Sequence, residues 1–385
     1  MMTLKRKQVI LSLLLMALLL PGLIVHAVLA GQIALVPSLD VAHRYDDNYF
    51  KTENNKKSIH TTTVRPGIVL GALTPRSSAS LRYFMNINQY RGESGIDDKD
   101  FVGHLAILAL KWTTDHIDLG INNNFTRTRN SAVFDEFTDS VARVNFSMNR
   151  FSPNLKYRFG KRINLGARYT HLKIDYRGGT GEDSEEQRGT ISLDYNLNST
   201  LSLGLDSQVW TQDYDGTSSG YESKQLMGVL KKDYKHFMLF AGAGYHKRDF
   251  DHPDLPDIGD LTWKISFNSK SESPINVTLN QNYNNVNSDD NSYRVTQLSF
   301  KAGHVFSDRM ALILNGMYQA TEYEYTNRQD DNWSLGCRVN YQVNRVFSFA
   351  VGPGFDSRDS NEPGNDYDNS YILFNGRIMY NLGSK

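Results

Sequence analysis

The chain has 385 residues with 42 basic and 42 acidic side chains, a mean hydropathy of −0.48 and one cysteine. Zero formal charge points to no polyanionic partner such as nucleic acid, and a lone Cys337 excludes an internal disulfide framework. Beyond the first thirty residues no apolar run approaches the roughly 20 residues that a membrane helix needs, which excludes a helical membrane protein.

Residues 1–30 read as a cleaved signal peptide: Lys5, Arg6 and Lys7 form a basic start, Val9 to Leu20 an apolar stretch, and Val28-Leu29-Ala30 a small-residue cleavage site before Gly31. Pro21-Gly22 interrupts the apolar run, which argues against an uncleaved anchor. From about Val36 to Leu382 the mature chain repeats one device. Every second side chain is apolar over ten or more residues, then a break rich in Asn, Asp and Gly follows. Leu201, Leu203, Leu205 and Val209 alternate with Ser202, Asp206 and Gln208; Ile191, Leu193, Tyr195 and Leu197 alternate with Ser192, Asp194 and Asn196. Period two with one apolar and one polar face, in segments longer than ordinary strands, is the pattern of a membrane β-barrel, in which low mean hydropathy is expected because only half of each strand meets lipid.

The alternation predicts strands near 33–46, 58–73, 77–91, 99–112, 116–128, 139–159, 162–176, 186–197 and 200–214. It continues at 222–233, 236–250, 260–271, 274–286, 292–306, 309–324, 331–342, 345–358 and 368–382. The expected fold is all-β: one transmembrane antiparallel barrel of about 18 strands spanning residues 31–385. Connections alternate between short, often basic ones, such as Thr74-Pro75-Arg76 and Gly160-Lys161-Arg162, and longer acidic ones, such as Asp251 to Asp260 and Asp359 to Asp368. Short turns belong on the periplasmic side of such barrels and long loops outside. Two places resist simple phasing. In the sixth strand the apolar phase is even at Val144, Phe146 and Met148 and odd at Leu155, Tyr157 and Phe159, so a bulge at Ser152-Pro153 is expected. The fourth strand is apolar on both faces from Leu105 to Leu110.

Phasing each strand by its apolar half points Arg44, Arg65, Arg82, Lys156, Arg158, Arg168, Lys264, Lys301, Arg338 and Arg377 inward, with Asp194 and Asp206 and the further acids Asp40, Asp46 and Asp118. A Lys or Arg on the lipid face near the midplane costs about 2 to 4 kcal/mol, which is why the charged phase must face the bore. Asn and Gln side chains, among them Asn122, Asn145, Gln208 and Asn280, lie in the same phase. Amides suit sugar hydroxyls and the surplus of Lys and Arg suits carboxylates or sulfates, although every wide barrel has a polar, mixed-charge wall. A barrel of this size leaves an aqueous channel, so transport is the default function of the shape. No H-E-x-x-H, G-x-S-x-G or P-loop motif occurs in the mature chain, which argues against an enzyme, and no cofactor or metal site is expected.

Pro37-Ser38-Leu39-Asp40-Val41 followed by Arg44-Tyr45-Asp46-Asp47-Asn48-Tyr49-Phe50 resembles the opening strand of the family called putative β-barrel porin type 2. Asn149-Arg150-Phe151-Ser152-Pro153 ahead of Tyr157-Arg158-Phe159 is similar to it as well. The resemblance implies an outer-membrane barrel associated with exopolysaccharide synthesis and export, and it brings no catalytic residues. On that basis the expectation is a monomeric exit channel for a secreted polysaccharide, embedded in the outer membrane beside lipopolysaccharide and fed by a periplasmic export or synthase complex. The alternative is a passive diffusion porin for small solutes or oligosaccharides, and a third reading is a structural or adhesin barrel whose loops bind.

Overall fold

The computed structural model describes residues 32–92, 100–129, 145–177, 181–285 and 292–382. The strands are β1 (Gln32–Asp46), β2 (Ile59–Leu73), β3 (Ser77–Gly92), β4 (Phe101–Thr113), β5 (Ile117–Thr128), β6 (Phe146–Phe159), β7 (Ile163–Tyr176), β8 (Ser184–Asn196) and β9 (Leu201–Tyr214). They continue as β10 (Tyr221–Asp233), β11 (Phe237–Phe250), β12 (Ile258–Ser269), β13 (Ile275–Asn285), β14 (Ser292–Ser307), β15 (Met310–Tyr323), β16 (Gln329–Gln342), β17 (Phe347–Ser360) and β18 (Tyr367–Met379). Each pairs antiparallel with its chain neighbours and β1 also pairs with β18, so one 18-stranded sheet closes on itself without a free edge. All eighteen expected strands are present. The expected start of the sixth at 139 and the expected signal peptide fall outside the described residues.

Exposure assigns the faces. Leu203, Leu205 and Val209 on β9 are 46, 52 and 45% exposed although they are apolar. Ile191, Leu226, Leu261 and Ile265 are likewise open to the outside. A closed sheet that turns large apolar side chains outward and polar ones inward is stable only where lipid surrounds it. Aromatic residues collect toward the short-turn end of this outer surface, at Trp112, Phe159, Tyr195, Tyr234 and Phe347, while Tyr245 and Trp333 lie in the long-loop halves of their strands, as interfacial belts require. The tight connection after β6 bends through Gly160 at φ 63°, a conformation that a side chain disfavours.

The expected bulge in the sixth strand is absent. The β5–β6 register runs without a shift from Ile117↔Tyr157 through Ile121↔Pro153 to Thr128↔Phe146. Phe146 and Met148 therefore face inward, where they pack with Ile174, Leu172 and Tyr176. The wall itself is apolar there, which removes the reason for a shift of phase. Pro153 is accommodated differently. It stays opposite Ile121 on β5, while on the β7 side the pairing lapses at Ser152 and Pro153 and resumes in the same register at Asn154↔Arg168. Pro66 and Pro353 repeat this arrangement, each retained opposite one neighbour and skipped by the other. Because proline lacks the N–H, only one ladder suffers, and the ring stays closed.

Closure depends on β1 meeting β18. At the long-loop end the Asp46-Asp47-Asn48 segment stitches this seam. The Asn48 backbone N–H donates to Asn369 Oδ1 at 3.2 Å, Asn369 Nδ2 donates to Asp46 Oδ1 at 3.2 Å, and Asn48 Nδ2 donates to the Asp368 carbonyl at 2.8 Å. Asp47 exchanges two bonds with the Ser370 backbone, at 3.1 and 2.7 Å. Asn48 and Asn369 are fully buried, so losing either leaves unpaired polar atoms, at about 1 to 3 kcal/mol. Asn48→Ala is expected to lower the temperature at which the purified barrel loses its compact mobility on unheated gels, with Thr52→Ala nearer to the unaltered protein; equal behaviour of the two would contradict the role of the seam.

Candidate functional site: the inner wall

The inward phase is defined by strand register. Asp40 on β1 stands opposite both Arg377 on β18 and Arg65 on β2; Arg377 bonds the Asp40 carboxylate and Arg65 donates to Asn86 on β3. Arg44 pairs with Asp46 at 2.6 Å and lies over the Tyr371 ring at 3.7 Å. Arg82 stands opposite Val69 and Ile107. Arg158 forms an ion pair with Asp118, and Lys156 sits directly across from Asp118 on the neighbouring strand. Asp194 binds Lys231 at 2.8 Å, and Asp206 faces Ser192 and Met227. Lys264 lies across from Asn280, Lys301 from Asn276 and Asn315, and Arg338 from Ile313. All share the face opposite the exposed apolar side chains. Asn145 does not: it precedes β6, and its inward expectation fell with the bulge.

These pairings leave a one-sided balance. Asp40, Asp46, Asp118 and Asp194 each hold a cation, and of the inward acids expected from the sequence Asp206 makes no ion pair among the described residues. Arg65, Arg82, Lys156 and Arg168 have no carboxylate partner among the described residues, and the same is true of Lys264, Lys301 and Arg338. The bore therefore presents uncompensated positive charge to any solute inside it. β4, with two apolar faces, is also resolved. Asn88↔Phe101 and Ile107↔Asn124 turn Leu105, Ile107 and Ala109 inward, so a dry strip separates the polar wall of β3 from that of β5.

A recess of about 660 Å³ opens in the wall between β5 and β13. It gathers Arg150, Arg168, Arg188 and Arg248 against a single carboxylate, Glu186. Arg188 takes both oxygens of Glu186 at 3.0 Å and covers one face of Trp210 at 4.4 Å. His246 stacks on Trp210 at 5.1 Å with the rings 10° from parallel, and Tyr283 packs against His246. Arg248 is buried, donates to Ser223 Oγ at 3.0 Å and lies over Tyr221 at 4.1 Å. Of these residues only Arg168 belongs to the inward set expected from the sequence. Arg188 shares the phase of Asp194 and could have been read from it. Arg150 was lost because the expected bulge would have turned it to lipid, and Arg248 follows a Gly-Ala-Gly stretch in which no apolar phase can be read.

Residues 241–379 match the family model described as Putative beta-barrel porin 2. The match falls on the C-terminal strands rather than on the opening strand that carries the sequence resemblance. No curated protein matches the chain. Among solved structures, the outer membrane protein opdK from Pseudomonas aeruginosa superposes with a TM-score of 0.50 at 10% identity, covering 90% of this chain and 99% of that one; its structure with vanillate gives the same values. Acinetobacter baumannii OccAB4 gives 0.49 at 12% identity over 91% of this chain and 98% of that one. At 10% identity the opdK likeness speaks for the fold alone. The outward apolar band, the wet interior and the match of the C-terminal strands to a porin family mark a channel-type barrel of the bacterial outer membrane rather than an enzyme.

At the mouth, Glu182 in the β7–β8 connection ties down the β9–β10 connection, accepting from the Thr217 N–H at 2.6 Å and the Ser218 N–H at 3.0 Å. Burial pushes its carboxyl upward, but the bonds from Ser218 and Thr217 together outweigh burial and hold it below the usual glutamate value of 4.5. A lowered folded value means that the tie contributes fully above the unfolded value and fades as pH falls through the folded one. Protease nicking in residues 215–220 is expected to stay constant from pH 8 to 5 and rise below 4.5, with Glu182→Gln nicked throughout; a wild-type loop as open at pH 7 as at pH 4 would contradict the tie.

Proposed function

We propose that the barrel is a passive diffusion channel for small hydrophilic solutes, with a preference for anions. The observation that carries this reading is the charge balance of the inner wall. Its carboxylates are largely neutralised by ion pairs, whereas Arg65, Arg82, Lys156, Arg168, Lys264, Lys301 and Arg338 face the bore without carboxylate partners among the described residues. In a water-filled lumen bounded by low-dielectric walls such a surplus raises the local concentration of anions, and the effect weakens as salt screens it over a Debye length of about 10 Å at 0.1 M. Arg44, Arg158 and Arg377 are held by acids and serve the wall more than the solute.

Export of an exopolysaccharide, and a periplasmic synthase complex to feed it, rest on the family resemblance, and none of the described residues in the bore favours a polymer over a small solute. Deleting the gene separates the two. Slower uptake of small anions with normal extracellular polysaccharide supports diffusion, and normal uptake with lost polysaccharide overturns it.

In planar bilayers the purified protein is expected to pass chloride more readily than potassium. Arg168→Glu combined with Arg338→Glu is expected to shift the reversal potential toward cations. A channel that prefers potassium, or a variant with unaltered selectivity, would remove these side chains from the solute path.

A further inference from the structure

We propose that the recess between β5 and β13 is a binding site for one sugar acid, a monosaccharide-sized polyhydroxylated carboxylate. The inference deepens the diffusion reading and rests on it, since the ligand reaches the recess through the bore.

The recess is an ordered lattice. One inward row runs across the strands as Asn154, Arg168, Thr190, Gln208, Gln225 and His246. The row toward the mouth carries Ser152 and Thr170, whose hydroxyls meet at 3.1 Å, then Arg188, Trp210 and Ser223. The next row holds Arg150 opposite Leu172, followed by Glu186 and Gln212. Arg150 and Arg168 thus flank the Ser152–Thr170 pair from opposite sides, offset by roughly 14 Å along the strands at about 3.4 Å per residue. A ligand held by both guanidiniums would have to span what remains of that offset once the two long side chains lean toward each other.

Charge selects the ligand's headgroup. Arg188 is committed to Glu186, and Arg248 is buried against Tyr221. Arg150 and Arg168 are exposed and carry no ion pair among the described residues, so their forks are open to a carboxylate. Geometry selects its body. Both faces of Trp210 are covered, by Arg188 and His246, and Trp210 and His246 are 5 and 2% exposed, so neither offers an aromatic acid an open face, and the half-buried Tyr214 is the one lining ring among the described residues left partly open. Around the open guanidiniums stand hydroxyls and amides instead, from Ser152, Asn154, Thr170 and Gln208, each able to donate and accept as sugar hydroxyls do. The volume lies in the range of about 300 to 1,000 Å³ typical of small-molecule sites.

The test is equilibrium titration of the purified full-length barrel in detergent with galacturonate, galactose and benzoate. Galacturonate is expected to bind at least ten-fold more tightly than either of the others, and Arg150→Gln combined with Arg168→Gln is expected to weaken it at least ten-fold, with compact mobility on unheated gels showing that the variant's barrel is closed. Equal binding of galacturonate and galactose, tighter binding of benzoate, or an unaltered double variant would overturn the proposal. The comparison of the three probes on the unaltered protein decides even if the double variant fails to close. Absence of any current in bilayers would refute the channel while leaving the titration to report on the recess.

Discussion

The whole structure answers to one constraint: in hydrocarbon there is no water to satisfy a backbone amide, so each N–H and C=O must find a partner inside the protein. A sheet meets this only by closing, and closing eighteen strands requires the first to find the last across more than three hundred residues of chain. That is where the buried Asn48, Asn369 and Asp46 sit. The polar segment at the end of β1 is a joint, and its unusual density of Asp and Asn follows from having to bond backbone and side chains of β18 at once. The strand prolines obey the same constraint. Pro66, Pro153 and Pro353 all lie on the lipid face, and each forfeits pairing on one side while keeping it on the other.

Closure then dictates the chemistry of the interior. Once one face of every strand belongs to lipid, all charge must go to the other, and an interior of eighteen strands is too wide for side chains to fill. What distinguishes this bore from a generic wet wall is how its charges are used. Acids such as Asp40, Asp118 and Asp194 are absorbed into cross-strand pairs, and among the described residues the groups left without a partner are, apart from Asp206, cations. The wall is also uneven. Leu105 and Ile107 form a dry strip on β4, and the packed Phe146, Met148 and Ile174 lie beside a recess crowded with guanidiniums. Such contrast between apolar and cationic surface within one lumen is what allows a channel to favour one class of solute.

Most of the fold was legible because alternation is a direct imprint of two solvents. Ile191 to Asn196 and Leu201 to Val209 fall on their strands and faces as read. The failures share a physical origin. Phasing assumes that apolar means lipid, and where the protein buries apolar groups inward, at Phe146 and Met148, the rule inverts and an unneeded bulge appears. That error hid Arg150. His246 and Arg248 were not among the inward residues expected from the sequence, and in β11 the segment Ala241-Gly242-Ala243-Gly244 carries no large side chain to mark the outer face. The stack of Arg188, Trp210, His246 and Tyr283 draws on β8, β9, β11 and β13, and only the register of the closed sheet brings those residues together.

The claim beneath all of this is that successive side chains along one strand live in different solvents. After replacing Cys337, single cysteines placed at each position from Leu203 to Val209 and tested in reconstituted vesicles would read it directly. A membrane-impermeant maleimide is expected to label positions 204, 206 and 208, while bilayer-embedded spin labels quench fluorophores attached at 203, 205, 207 and 209. Labelling that ignores this alternation, or quenching at 206 and 208, would contradict a closed barrel with a wet bore.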